Sequence, residues 1–269
     1  MFGRKKAVKP DQTASIEAHM ATSKIYVNNL GKTYVNKKIE TVAIENASIE
    51  ILDNEFVSIV GPSGCGKSTL LRILAGLDNA TRGTALVDDQ TVEEPGADRG
   101  MVFQSYTLFP WLTVEDNIRF GLNIKKMPKE KANEIVDRYL DIIKLQEFRK
   151  SYPKELSGGM KQRVAIARAL ANSPKVLLMD EPFGALDSQT KAEMQLLLRQ
   201  IWQEEKPTVV FITHDIEEAV FLSNRVYVMS ARPSIIKANI PIYLPYKREL
   251  ELKETVKFMD YRRRIAALL

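Results

Sequence analysis

The chain has one cysteine, Cys65, and two histidines, His19 and His214, in 269 residues. A lone cysteine excludes an internal disulfide framework and fits a reducing compartment. So few thiols and imidazoles also exclude zinc at its usual ligand spacing. Any metal is therefore expected to be a hard ion held by oxygen, with magnesium (Mg2+) the natural candidate. Two further absences bear on location. No run approaches the roughly 18 to 20 apolar residues of a membrane-spanning helix, and the first residues lack the apolar core of a secretory signal. The expected compartment is the cytosol. Internal repeats, low-complexity tracts and sustained heptads are missing as well.

What is present is globular material, 45% hydrophobic and 27% charged, enough for one large domain or a domain with a subdomain. The net charge of +5 would suit nucleic acid or anionic lipid. Part of the excess, however, sits in Arg4, Lys5, Lys6 and Lys9 and in Arg262 to Arg264, where solvated tails account for it. Residues 1–23 are polar and aperiodic and read as a disordered leader, with Met20 an alternative start.

From Lys24 to about Asp53 apolar and polar residues alternate, with Ile25, Val27, Ile49 and Ile51 on one side, the pattern of a half-buried antiparallel sheet. Four later runs, Phe56 to Val60, Met101 to Phe103, Val176 to Met179 and Val209 to Ile212, are short and almost wholly apolar. Such runs suit strands buried on both faces of a parallel sheet. Each leads at once into polar residues: the loop ending at Lys67, then Gln104, Asp180-Glu181 and His214. In open α/β sheets ligands bind at the carboxyl ends of strands. Between these strands Ile135, Tyr139, Ile142 and Ile143 recur at helical spacing within Pro128 to Leu145, so helices are inserted mid-chain. The charged end, Lys247 to Leu269, reads as a terminal helix.

Gly61, Pro62, Ser63, Gly64, Cys65, Gly66, Lys67, Ser68 and Thr69 spell a phosphate-binding loop between an apolar strand and the helical run Leu70 to Leu74. Backbone N–H groups freed by the glycines converge on phosphate oxygens, Lys67 adds charge near the β- and γ-phosphates, and Ser68 can ligate magnesium. The plain alternative is a glycine turn before a helix. Asp180 can hold the magnesium shell and Glu181 can orient or deprotonate a water, unless the pair merely forms a solvated turn. Ser157, Gly158 and Gly159 precede the helical run Val164 to Leu170. They offer a second helix-start anion site, or an ordinary capped helix that uses glycine wastefully.

The octapeptide LSGGMKQR, Leu156 to Arg163, lies between the phosphate loop and the Asp-Glu strand and resembles the signature of the ABC ATPase superfamily. The resemblance runs from about Lys24 to Ile240. It implies an α/β P-loop NTPase cassette with a mainly parallel core sheet, an antiparallel β subdomain and an inserted α-helical subdomain. Its boundaries would be 24–245 for the cassette, about 105–170 for the helical part and 246–269 for a C-terminal helical extension. It also implies ATP as ligand and a head-to-tail dimer in which Ser157 and Gly159 of one cassette meet the γ-phosphate held by the other's Lys67. In its terms Tyr34 stacks on adenine, though an aromatic packed on the first sheet would read alike. Gln104 senses magnesium and the attacking water, and Ala185 to Asp187 form a dimer-contact loop. His214 binds the γ-phosphate, unless it helps cap the helix from Asp215 onward.

Within the superfamily, a single cassette without a long coiled coil favours a transport subunit over a soluble machine acting on nucleic acid or ribosomes. Leu108, Phe109, Trp111 and Leu112 within Ser105 to Ile118 resemble the surface on which importer ATPases receive a helix of the membrane permease, although any one of them could be subdomain core. That segment, MSARPSII from Met229 to Ile236 and the short C-terminus look like the nitrate, sulfonate, taurine and bicarbonate importer branch. The expected partners are a second cassette, a permease and, indirectly, a solute-binding protein, with no nucleic acid. The expected location is the cytoplasmic face of the inner membrane.

Overall fold

The computed structural model describes residues 23–36 and 39–269. The predicted leader and Met20 lie outside the described residues, except Ser23, which already pairs with Leu52 in the first strand. Among the described residues ten strands form one sheet: β1 (Ser23–Asn36), β2 (Ile39–Leu52), β3 (Phe56–Val60), β4 (Arg82–Val87), β5 (Gln90–Thr91), β6 (Arg99–Val102), β7 (Val176–Asp180), β8 (Thr208–Ile212), β9 (Arg225–Met229) and β10 (Ser234–Pro241). Their spatial order is β5-β4-β1-β2-β10-β9-β3-β8-β7-β6. From β9 to β6 every pairing is parallel, while β1, β2, β4 and β5 pair antiparallel. Strand β10 joins the two halves, parallel to β2 and antiparallel to β9.

The parallel strands are apolar on both faces because each face has its own core. Phe56, Val60, Leu177, Met179, Val209 and Phe211 point into one cluster, with Val57, Ile59, Val176, Leu178, Val210 and Ile212 in the other. Helix α1 (Lys67–Leu74) covers the second cluster. On the first lie α2 (Val114–Ile124), α3 (Lys129–Ile143), α4 (Gly158–Leu170), α5 (Ser188–Glu205), α6 (Ile216–Leu222) and α7 (Val256–Ala266). Helices α2 to α4 fall between β6 and β7, and α3 buries Ala132, Val136, Tyr139, Leu140 and Ile143 along one stripe.

The C-terminal segment is stitched into the body. Arg248, 4% exposed, donates to the carbonyls of Val220, Phe221 and Ser223 at the end of α6, and Phe258 and Ile265 of α7 are fully buried. With no carboxylate beside it, burial pushes the Arg248 guanidinium down to about 9.

Candidate functional site

Strand β3 runs into the loop 61–69, whose last glycine, Gly66, caps α1 at φ 107°, a left-handed conformation that favours glycine. Lys67, 4% exposed, curls back so that its Nζ donates to the carbonyls of Gly61 at 2.9 Å and Pro62 at 3.1 Å. The Cys65 side chain is buried in the core, and Pro62 has no N–H to offer. What this loop offers a phosphate is therefore backbone N–H groups, the lysine and the hydroxyls of Ser63, Ser68 and Thr69.

Ser68 Oγ donates to Asp180 Oδ1 at 2.9 Å, joining the start of α1 to the end of β7. Burial, and then the neighbouring Glu181 charge, raise the Asp180 carboxyl against the opposing pull of Ser68 and Lys67. The next residue, Glu181, adopts φ 43°, an uncommon conformation for a side-chain-bearing residue. Its N–H donates to Ile212 O at 2.9 Å and its carbonyl accepts from Gly184 N at 3.1 Å, so two elements hold the kink. His214 Nδ1 lies 2.9 Å from Glu181 Oε2. The helix that follows is capped by Asp215, which accepts from Glu217 N and Glu218 N, so the imidazole is free of that duty. Gln104 is exposed beyond β6. Its Nε2 and the Glu181 Oε2 lie 3.8 and 4.0 Å from where a Gly184 Cβ would stand, bordering one spot.

These side chains bring oxygen donors to one end of the sheet. Among the described residues no cluster of three or more His, Cys, Asp or Glu could hold a metal alone. Ser68, Asp180 and Gln104 supply the one carboxylate and the neutral oxygens that would suit magnesium, which takes one or two carboxylates and completes its shell with phosphate and water.

Tyr34 joins the same edge. The residue is 41% exposed, and its hydroxyl donates to Asp78 Oδ2 at 2.8 Å and lies 3.3 Å from Thr69 Oγ1 of the phosphate loop. The ring therefore stands in the open beside the loop and is not packed under the sheet.

The second helix start is built differently. Ser157 caps α4, accepting from Met160 N at 3.3 Å, and remains exposed. A Cβ on Gly159 would stand 2.5 Å from Thr190 Cγ2, and one on Gly158 would stand 2.8 Å from Tyr106 Oη. The glycines thus have a packing reason within the chain. Asp187 caps α5, accepting from Gln189 N and Thr190 N.

An apolar groove of about 460 Å³ is walled by Phe103, Phe109, Phe120, Ile124, Arg168 and Pro174. Of the four residues singled out from sequence, Trp111 is 70% exposed, stacked at 5.6 Å on Phe109, whereas Leu108, Phe109 and Leu112 are half-buried. Phe120 and Ile124, on α2, were missed; their spacing of four along an otherwise polar face could have found them. Arg168 donates to Thr107 O at 2.8 Å and caps the Phe109 ring, tying α4 to this segment.

A phosphate-binding loop, a carboxylate pair and a histidine gathered at the carboxyl end of a parallel sheet define a nucleoside triphosphatase with an inserted helical arm. The chain belongs to the ABC transporter family, whose model matches residues 44–184. It is an ATPase of that family. The nitrate import ATP-binding protein NrtD of Synechocystis is 51% identical over 249 residues, spanning 90% of this chain and 94% of that one. The aliphatic sulfonates import ATP-binding protein SsuB of Bacillus cereus is 47% identical over 243 residues, 90% of this chain and 94% of that one. A solved dimer of the ATP-binding cassette MJ0796, in a post-hydrolysis state bound to ADP and Pi, matches with a TM-score of 0.72 at 35% identity. That match covers 82% of this chain and 100% of the other.

Proposed function

We propose that this chain hydrolyses ATP to drive import of a small oxyanion, of the nitrate or sulfonate class, through a separate membrane permease. The observation that carries the permease is the apolar groove lined by Phe103, Phe109, Phe120 and Ile124, with the exposed Trp111 packed on Phe109. An amphipathic helix of the permease would lay its apolar face there. The class of solute rests on the nitrate and sulfonate relatives alone. We place the chain beside the permease at the cytoplasmic face; no helix among the described residues is itself long and apolar enough to cross a membrane. We assign residues 24–245 to the cassette, 105–170 to its helical arm and 246–269 to the extension.

In the catalytic cycle the triphosphate takes the place of the Gly61 and Pro62 carbonyls at Lys67, and the backbone N–H groups of loop 61–69 enclose its oxygens. Tyr34 stacks on the base. Magnesium would neutralise the β- and γ-phosphates, held by Ser68, Asp180 and Gln104. Glu181 orients and deprotonates the water, and His214, bound to Glu181, meets the γ-phosphate. Ser157 and Gly159 of a second cassette close the site head to tail, so losing the γ-phosphate releases the dimer and moves the groove.

The test is affinity purification of the tagged chain from detergent-solubilised membranes, with Phe120→Asp as control. Recovery of a polytopic membrane protein, lost in the control, supports the reading. Recovery of nucleic acid or ribosomes alone contradicts it and favours the soluble-machine alternative. Uptake of nitrate against an alkanesulfonate in a strain lacking the chain then identifies the solute class.

A further inference from the structure

Tyr34 is held more firmly than an exposed aromatic needs to be. Asp78, in the turn after α1, accepts from the Tyr34 hydroxyl with one oxygen and from Lys32 Nζ, at 2.5 Å, with the other. Lys32 also donates to Asn79 O at 2.7 Å, and its ammonium sits 4.8 Å from the centre of the Tyr34 ring. The Asp78 carboxyl is raised by burial, but its bonds from Lys32, Tyr34 and Asn79 N outweigh that, holding it below the ordinary carboxylate range. Lys32 and Asp78 side chains are only 12% and 21% exposed, whereas Tyr34 is an exposed residue. The half-buried pair thus orients an open ring, and the hydroxyl's contact with Thr69 fixes it relative to the phosphate loop.

We propose that Lys32 and Asp78 are positioning residues for nucleotide recognition: they fix the Tyr34 ring with the ammonium on one face, leaving the other for the base. The proposal rests on Tyr34 being the base platform. A free tyrosine ring loses rotamer entropy when a base stacks on it, and a ring already pinned at its hydroxyl does not, so the network raises affinity by preorganisation. Because every base has a stacking face, the gain extends to ATP and GTP alike. It does not extend to a ligand without a base.

The test titrates the full chain with ATP and with tripolyphosphate by calorimetry, in the wild type and in Asp78→Ala, Lys32→Met, Tyr34→Phe and Tyr34→Ala. Tyr34→Phe removes only the tether and keeps the ring, so it serves should Asp78→Ala fold poorly. We expect Asp78→Ala, Lys32→Met and Tyr34→Phe each to weaken ATP binding about five-fold, one hydrogen bond's worth, with tripolyphosphate unchanged and Lys32→Arg partly restoring ATP. Equal losses for both ligands would overturn the proposal, since the network would then brace the phosphate loop. No loss in these variants beside a clear loss in Tyr34→Ala would overturn the positioning role and keep the platform. Unchanged ATP binding in Tyr34→Ala would remove the platform itself, and the proposal with it.

Discussion

The molecule has two glycine-led helix starts, and they are finished to different degrees. At α1 the lysine is buried and bonded to its own loop, the cap is a left-handed glycine, and Ser68 is tied to Asp180. At α4 the cap is an exposed serine with one 3.3 Å bond, and no cation stands in the first turn until Lys161. Both present backbone N–H groups and the positive end of a helix dipole. Of the two, α1 is the one beside its own chain's candidate site residues Asp180, Glu181 and His214. The difference suggests that α1 binds phosphate by itself, whereas α4 completes a site that another chain brings to it.

The sharpest way to break that comparison is to damage each start separately. Ser157→Arg is expected to cut turnover by about 10²- to 10³-fold, the cost of losing one donor to a reacting phosphate, while ATP binding by the single chain changes little. Lys67→Ala is expected to weaken ATP binding itself by about 10- to 100-fold, a charged hydrogen bond's worth. Calorimetry and steady-state hydrolysis separate the two, and equal binding losses in both would erase the distinction.

A smaller effect sharpens the packing half of the account. Gly159→Ala places a methyl 2.5 Å from Thr190 Cγ2, which should cost about 1 to 3 kcal/mol of stability. Thr190→Ser removes that methyl and should recover most of the loss in a denaturant titration. No recovery would mean the glycine is needed for its backbone instead.

The smallest expected effect lies far from either start. Burial raises the Asp88 carboxyl, but bonds from Lys175 and Lys24 outweigh it, and its pKa is lowered. A carboxylate depressed on folding contributes stability that is complete above its unfolded value, about 3.9, and is lost as pH falls through the folded one. Asp88→Asn should therefore lower Tm slightly near pH 7, and the difference should shrink as pH falls below about 3.9. A difference that persisted in acid would assign it to packing.

Much of this was legible in the sequence, because the parallel core writes itself in short apolar runs. Phe56 to Val60 is β3 residue for residue, and the polar residue after each run lies at the site. Strands β4, β9 and β10 were not read. In β10 the buried residues Ser234 and Ile240 bracket a stretch that alternates between exposed Ile235, Lys237 and Asn239 and half-buried Ile236 and Ala238, and its partners β2 and β9 are set by tertiary pairing. The candidate site residues could be named from sequence because each sits in a motif. Lys32, Asp78, Tyr106 and Arg168 were not, since the contacts of Asp78 with Lys32 and Tyr34, of Tyr106 with Gly158 and of Arg168 with Thr107 join segments distant in sequence.

The central claim is that α1 of one chain and α4 of another share one nucleotide. Mixing purified Lys67→Ala with Ser157→Arg, each inactive alone, tests it most directly. In a head-to-tail dimer the mixed pairs hold one site with an intact lysine and an intact serine, so ATP hydrolysis should return, up to about a quarter of the wild-type rate at random pairing. If mixed dimers form, as judged by co-purification of two tags, and hydrolysis stays absent, the shared site is contradicted.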